Sequence, residues 1–277
     1  MKSILTYVVN KLSFASVLLV PLRFYNAAKT YTSLPWQILK WTFTSKEWTN
    51  YTYDLQDLNQ EHLIYFISQI TNTEIIKVRE YIAELENDEK LKEYIRETTL
   101  KSDRSFLSDT EARYGRRLGW YAFTRIKKPK VIVETGVDKG LGSVVLAAAL
   151  MKNASEGFEG HIYGTDINPK AGYLLEKEPY NSYGTIIYGD SIETLKSFPH
   201  KIDIIITDSN HDPNYELKEY ETIKDRLNPG CLVISDTAHH SNKLIEFAET
   251  MNWNFLYFQE APKGWFQGSG IGVAYKG

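Results

Sequence analysis

Val133-Glu134-Thr135-Gly136-Val137-Asp138-Lys139-Gly140-Leu141-Gly142-Ser143 decides how the rest of the chain is read. A short β-branched run ends in a glycine-rich turn, and Val144–Leu150 then carries a helical pattern. Such a turn between a strand and a helix lets a ligand approach the backbone closely. The spacing is Gly-x3-Gly-x-Gly, not the Gly-x-Gly-x-x-Gly of a dinucleotide site. Glu134 stands at the carboxyl end of the strand. A carboxylate there repels an anionic pyrophosphate and attracts a cation. The plainer reading is that Glu134 caps the turn.

Outward from this stretch, short apolar runs alternate with helical segments. Strands are predicted at 130–134, 161–166, 185–188, 203–207, 231–235, 254–259 and 271–275. Helices are predicted at 141–151, 213–227 and 240–251, with shorter pieces at 170–177 and 191–197. Alternation of this kind implies a parallel sheet covered on both faces. The last two strands lack a crossover helix, so they pair antiparallel. The fold class is therefore α/β, a mostly parallel seven-stranded sheet with a reversed strand at its end. Residues 54–127 read as helical. Asn72-Thr73-Glu74 and Asp88 open two segments, and Ser108-x-x-Glu111 has the pattern of a capping box before a third. Pro129 stops that helix. The expected division is a helical region at 1–110 and a ligand-binding domain at 111–277.

Two further acids follow strand ends. Asp166 ends the second predicted strand in Thr165-Asp166-Ile167-Asn168-Pro169, where an acid can take both hydroxyls of a ribose. Asp190 follows the third strand, ahead of Ser191. It can accept from an adenine amine, or cap the helix at 191–197. An adenosine with a cationic tail, as in S-adenosylmethionine, satisfies Glu134 and both of these acids.

Together these residues resemble the class I S-adenosylmethionine-dependent methyltransferases over about residues 112–277. The resemblance implies a Rossmann-like sheet whose last strand is antiparallel. It also implies cofactor contacts from Glu134, Thr135, Gly136, Gly140, Gly142 and Ser143. Further contacts would come from Asp166, Ile167, Asp190, Ser191 and Asp208. Two segments, Ile202–His211 and Leu227–Thr237, are similar to the metal-dependent small-molecule O-methyltransferases of the macrocin and cephalosporin-hydroxylase-like groups. By that resemblance Asp208, Asp236 and Thr237 hold Mg²⁺ or another divalent cation. His211 is then the general base. Magnesium prefers oxygen, and Thr237 stands where relatives carry a second acid or amide. His239 and His240 offer imidazoles, which suit transition metals better. Arg116 and Arg117 can reach an anion or form a solvated helix face.

The whole chain bounds the rest. Its 277 residues, 43% hydrophobic and 24% charged, sit in the globular range. One cysteine excludes an internal disulfide, which suits a cytoplasmic protein. A net charge of −3 and the absence of a Pro-Pro motif after Asp208 argue against a nucleic-acid partner. Residues 1–50 are basic and aromatic, which suits contact with a membrane surface as well as packing or dimer formation. The apolar run 12–22 is too short to span a bilayer, lacks a signal-peptidase site, and suits a helix ending near Pro21. The expected activity is methyl transfer to a small-molecule acceptor by a homodimer, with Trp265 and Phe266 stacking on the acceptor. The competing readings are an NAD-dependent oxidoreductase and a non-catalytic membrane scaffold.

Overall fold

The computed structural model describes residue 17 and residues 19–277. The chain divides into two compact units, one up to Ser45 and one from Lys46 to Gly277. This differs from a division at 110/111. The helices between 57 and 127 share one hydrophobic core with the sheet, in which Leu63, Ile82 and Leu91 join Trp120, Leu146 and Ile206.

In the first unit, α1 is Val20–Ala28 and α2 is Leu34–Thr44. Each has a proline, Pro21 or Pro35, in its first turn. Proline is tolerated there because its missing N–H would have no intrahelical partner. Pro21 therefore opens a helix rather than ending one. The preceding apolar run, residues 12–16 and 18, lies outside the described residues.

The second unit begins with α3 (Asp57–Thr71), α4 (Ile75–Glu86) and α5 (Glu89–Lys101). The Asp88 side chain accepts from the Leu91 N–H at 3.0 Å and caps α5. Ser108 caps nothing. The next helix, α6, spans Arg117–Lys127. It starts late because Gly115 adopts φ +50, a conformation outside the right-handed helix. The capping-box pattern was local, and this turn overrode it.

The sheet contains β1 (Val131–Thr135), β2 (His161–Asp166), β3 (Gly184–Tyr188), β4 (Ile202–Thr207), β5 (Leu227–Ser235), β6 (Asn254–Gln259) and β7 (Gly270–Tyr275). Its order is β3-β2-β1-β4-β5-β7-β6, and β7 runs antiparallel to both neighbours. The remaining helices are α7 (Leu141–Ser155), α8 (Ser191–Ser197), α9 (Pro213–Ile223) and α10 (Lys243–Met251). Residues 173–175 make a single 3-10 turn in place of the expected helix at 170–177. Side chains alternate across the strands. Ile132, Ile204, Ile206, Leu232 and Ile234 face the core shared with α6 and α7. Val133, Ile205 and Val233 face the other core, with Leu195, Tyr220 and Phe247.

Register sets the site. Thr135 pairs with Thr165 and with Thr207, and Thr207 pairs with Ser235. The residues that follow these strand ends are Gly136, Asp166, Asp208 and Asp236. They form one row along the carboxyl edge of the sheet, where α/β folds gather ligands.

Candidate active site

The row is closed by the glycine-rich turn. Gly136 has φ +81, and a Cβ there would strike the Asp208 carbonyl and Ser209 Cα. A Cβ on Gly142 would strike Glu134 Oε1 and come 2.7 Å from the Trp120 ring. The backbone can crowd this edge only because those positions are glycine. Asp166 locks the turn, its Oδ2 accepting from the N–H groups of Val137 (3.0 Å) and Asp138 (2.9 Å). Its Oδ1 accepts from the Asn168 N–H at 2.8 Å. The acid predicted for a ribose is thus also the clamp that shapes the loop.

Two adjoining cavities follow the row. One, of about 490 Å³, is lined by Gly136, Asp166, Ile167, Asp190, Ser191 and Tyr215 among others. Ile167 is exposed at its mouth. Asp190 caps α8 through the Glu193 N–H at 3.0 Å, and its Oδ2 accepts from the Tyr215 hydroxyl at 2.7 Å. The Tyr215 hydrogen bond and the helix N–H hold the Asp190 carboxyl below its ordinary range. Capping and a part in this cavity are therefore compatible. The second cavity, of about 350 Å³, is lined by Arg116, Arg117, Glu134, Gly142, Asp208, His211, Asp236, His239 and Phe266 among others. Trp265 is not among its lining residues, whereas Phe266 is, packed 5.1 Å from the Tyr53 ring. A larger cleft of about 860 Å³ lies among the helices, lined by Asp54, Glu86, Glu93 and Arg113.

Glu134 is 2% exposed and accepts from the Ser143 hydroxyl. Burial pushes its carboxyl up to about 7, with the Ser143 bond opposing. It makes no ion pair among the described residues. Thr135 and Ser143 are buried beside it. Gly140, with φ +89, forms the N-cap of α7.

Arg116 was missed in its main role. Its buried guanidinium sits among three carboxylates. Nε lies against Asp236 Oδ1, with Asp208 Oδ2 at 3.6 Å and Glu260 Oε2 at 3.9 Å. It also donates to the Tyr53 hydroxyl at 2.9 Å, and that hydroxyl donates to Glu260. Burial pushes Asp236 up to about 7, Arg116 opposing and Asp208 adding to the rise. Burial also raises Asp208, again against Arg116. Arg117 makes no ion pair among the described residues and donates only to the Tyr51 carbonyl at 3.3 Å. Nothing in the spacing marks Tyr53 or Glu260. They reach the site only through the packing of residues 46–55 on the 260–270 loop.

The same packing uses Lys139, whose Nζ donates to Glu47 Oε1 at 2.8 Å and to the Thr52 hydroxyl at 2.9 Å. Residues 46–55 are thereby strapped to the glycine-rich turn.

The side-chain ligand atoms of Asp208, His211 and Asp236 lie within 4.8 Å of one another. Two carboxylates and an imidazole form a donor set that a divalent cation accepts. Thr237, the third expected ligand, is buried, and its amide N–H donates to Ser235 Oγ at 3.0 Å. His239 Nδ1 is 3.0 Å from the Asp236 carbonyl oxygen. A carbonyl only accepts, so Nδ1 carries the proton and Nε2 keeps its lone pair. Burial and the neighbouring His240 keep this ring below the ordinary histidine range.

Residues 133–237 match the family model of a methyltransferase domain. This stretch is similar to a methyltransferase domain, and the sheet that holds it has the Rossmann-like methyltransferase fold. A Bacillus cereus O-methyltransferase, solved in complex with SAH, is similar at 17% identity over 69% of this chain and 92% of that one, with a TM-score of 0.51. A Klebsiella pneumoniae protein is similar at 16% identity over 69% of this chain and 90% of that one, also with a TM-score of 0.51. Both likenesses establish the fold. No curated protein matches the chain. The domain is the Rossmann-like sheet described above, and its cavities lie where the row of strand-end residues opens. No helix among the described residues is long and apolar enough to cross a membrane.

Proposed function

We infer that the methyltransferase domain uses S-adenosylmethionine to methylate a hydroxyl of a small molecule. The observation that carries this reading is Glu134, a buried carboxylate without an ion-pair partner that opens on the cavity beside Asp208. The glycines let the turn lie tight against the strand ends that border the cavity, because a Cβ at Gly136 would meet Asp208 and Ser209, and one at Gly142 would meet Glu134 and Trp120. The SAH held by the Bacillus cereus protein supports the same choice. An NAD pyrophosphate at this turn would meet an uncompensated carboxylate.

When bound, S-adenosylmethionine supplies an electrophilic methyl on its sulfonium. Glu134 would take the ammonium of its amino-acid end, and Asp166 the ribose hydroxyls. Ile167, Asp190 and Ser191 would border the base. His211 would accept the proton of the acceptor hydroxyl as its oxygen takes the methyl, the S–CH3 bond breaking with its electron pair left on sulfur so that S-adenosylhomocysteine departs. Phe266, which lines the cavity with Tyr53 packed behind it, would exclude water and hold the acceptor, so positioning supplies much of the rate. Asp208 and Asp236 would hold a divalent cation, which when bound lowers the pKa of a hydroxyl. The donor set fits such an ion, and Glu260 is then left to balance Arg116. The imidazole nearby favours a transition metal over Mg²⁺ if His211 coordinates, and in that case His211 could not also act as the base.

Thermal unfolding with saturating S-adenosylhomocysteine tests the reading. A ligand at about 100 times its dissociation constant adds about 2.7 kcal/mol. A rise in Tm with S-adenosylhomocysteine and none with NAD⁺ is expected. A rise with NAD⁺ alone would overturn the assignment. Methyl transfer to hydroxylated acceptors, with and without EDTA, then decides metal dependence.

A further inference from the structure

We propose that α1 and α2 form a docking surface for an anionic lipid membrane. Neither helix contains a single buried residue. On α2, Trp36, Leu39 and Phe43 stand at i, i+3 and i+7, one face of a helix. They are 73%, 48% and 81% exposed. On α1, Val20 and Phe24 are four residues apart and both exposed. Tyr25 and Tyr31 add two more exposed aromatic rings. Large apolar faces left in water mark a binding surface.

Charge selects the occupant. Residues 1–45 carry five Lys/Arg and no Asp or Glu, whereas the remaining 232 residues carry 27 and 35. Among the described residues the five include Arg23, Lys29 and Lys40. Lys40 flanks the Trp36–Phe43 stripe, where its stem can lie along apolar surface with the ammonium in the headgroup layer. A protein partner of matched chemistry would need an acidic apolar patch, and a second copy would bring the same cations face to face. An anionic bilayer offers both an apolar layer and a negative surface. Short helices with Trp, Phe and Leu on one side and cations beside them lie in the interface rather than across it. Tryptophan and tyrosine settle at that depth. The same surface potential repels the acidic second unit, so attachment would be confined to the helical pair.

The proposal is independent of the cofactor reading. The test is co-sedimentation of the full chain with phosphatidylcholine vesicles, with and without about one third phosphatidylserine. Each cation near an anionic surface is worth about fivefold in binding. Binding to the mixed vesicles at least tenfold tighter than to neutral ones is expected, and it should weaken in high salt. Lys40→Glu should lower it by roughly 25-fold, since two charge steps change. The double variant Trp36→Asp/Phe43→Asp should abolish it while the S-adenosylhomocysteine shift in Tm stays unchanged. These side chains are exposed, so the variants should fold, and circular dichroism checks that. Three results would overturn the proposal. One is no binding of the native chain to anionic vesicles, and another is binding indifferent to both variants. The third is a dimer that becomes a monomer on Trp36→Asp/Phe43→Asp with no vesicle binding, which would give the face to a second copy. Failure of the cofactor reading would appear separately, as an absent Tm shift in the native chain.

Discussion

Arg116 Nε lies directly against Asp236 Oδ1, so the carboxylate that ends β5 has a buried cation beside it before any ligand arrives. The guanidinium also faces Asp208 and Glu260. Removing one partner of a buried ion pair leaves uncompensated charge and costs about 3–5 kcal/mol. Arg116→Met is expected to lower unfolding free energy by about that amount in urea titrations. Arg116→Met combined with Asp236→Asn should recover part of the loss, because one of the three stranded carboxylates is then removed. Equal stability of the single and double variants would show that the pair is not coupled.

Glu134 predicts a pH dependence. Burial raises its folded pKa from the ordinary 4.5 to about 7. Between those values the folded chain keeps a proton that the unfolded chain has released. The stability from this group is therefore complete below about 4.5 and lost as pH rises through about 7, roughly 3 kcal/mol in all. Asp236 acts in the same direction. Glu134→Gln should flatten part of the fall when unfolding is followed across this window. Affinity for S-adenosylhomocysteine should run the other way and strengthen as Glu134 ionises. An unchanged slope in the variant would assign the dependence elsewhere.

Gly142→Ala should damage the cofactor site. The added Cβ meets Glu134 Oε1 and the Trp120 ring, so the carboxylate must shift toward the cavity while the fully buried indole is pressed. Overpacking of this kind costs about 1–3 kcal/mol. A fall of at least about tenfold in S-adenosylhomocysteine affinity is expected by calorimetry, that is, about 1.4 kcal/mol.

His211→Ala separates chemistry from binding. General-base catalysis contributes about 10²–10⁴ in rate. The variant should lose kcat by such a factor while S-adenosylhomocysteine affinity stays near the native value. If His239→Ala has this effect and His211→Ala does not, the base is the ring whose Nδ1 faces the Asp236 carbonyl.

Lys139→Met should release the strap at 46–55. The Glu47 carboxylate that Lys139 holds is fully buried. The loss should be about 3 kcal/mol, and limited proteolysis should cut near residues 46–52 before the rest of the unit. Retention of native protease resistance would mean that Tyr53 packing alone holds the segment.

Local signals were enough for much of this fold. Val133–Ser143 announced a strand, a tight turn and a helix, because β-branched residues, glycines and a helical run each restrict the backbone within a few residues. Asp88 and Asp190 were legible as caps for the same reason. Ser108 misled because a capping pattern acts only where the chain can continue into a helix, and Gly115 turns it away first. Pro21 misled because proline breaks a helix from within but suits its first turn.

The sequence by itself determined the alternation of strands and helices, the reversed β7, and the acids at or just beyond the carboxyl ends of β1, β2, β3, β4 and β5. These depend on neighbours along the chain, or on the absence of a crossover between β6 and β7. Only the tertiary structure decided that Arg116 would sit among Asp208, Asp236 and Glu260. It also decided that Lys139 would reach Glu47, and that helices 57–101 would share the core of the sheet. The Arg116 and Lys139 contacts join residues 92 to 144 positions apart. Charge pairing holds the first two against the cost of desolvation, and burial of apolar surface holds the third; no local pattern encodes either.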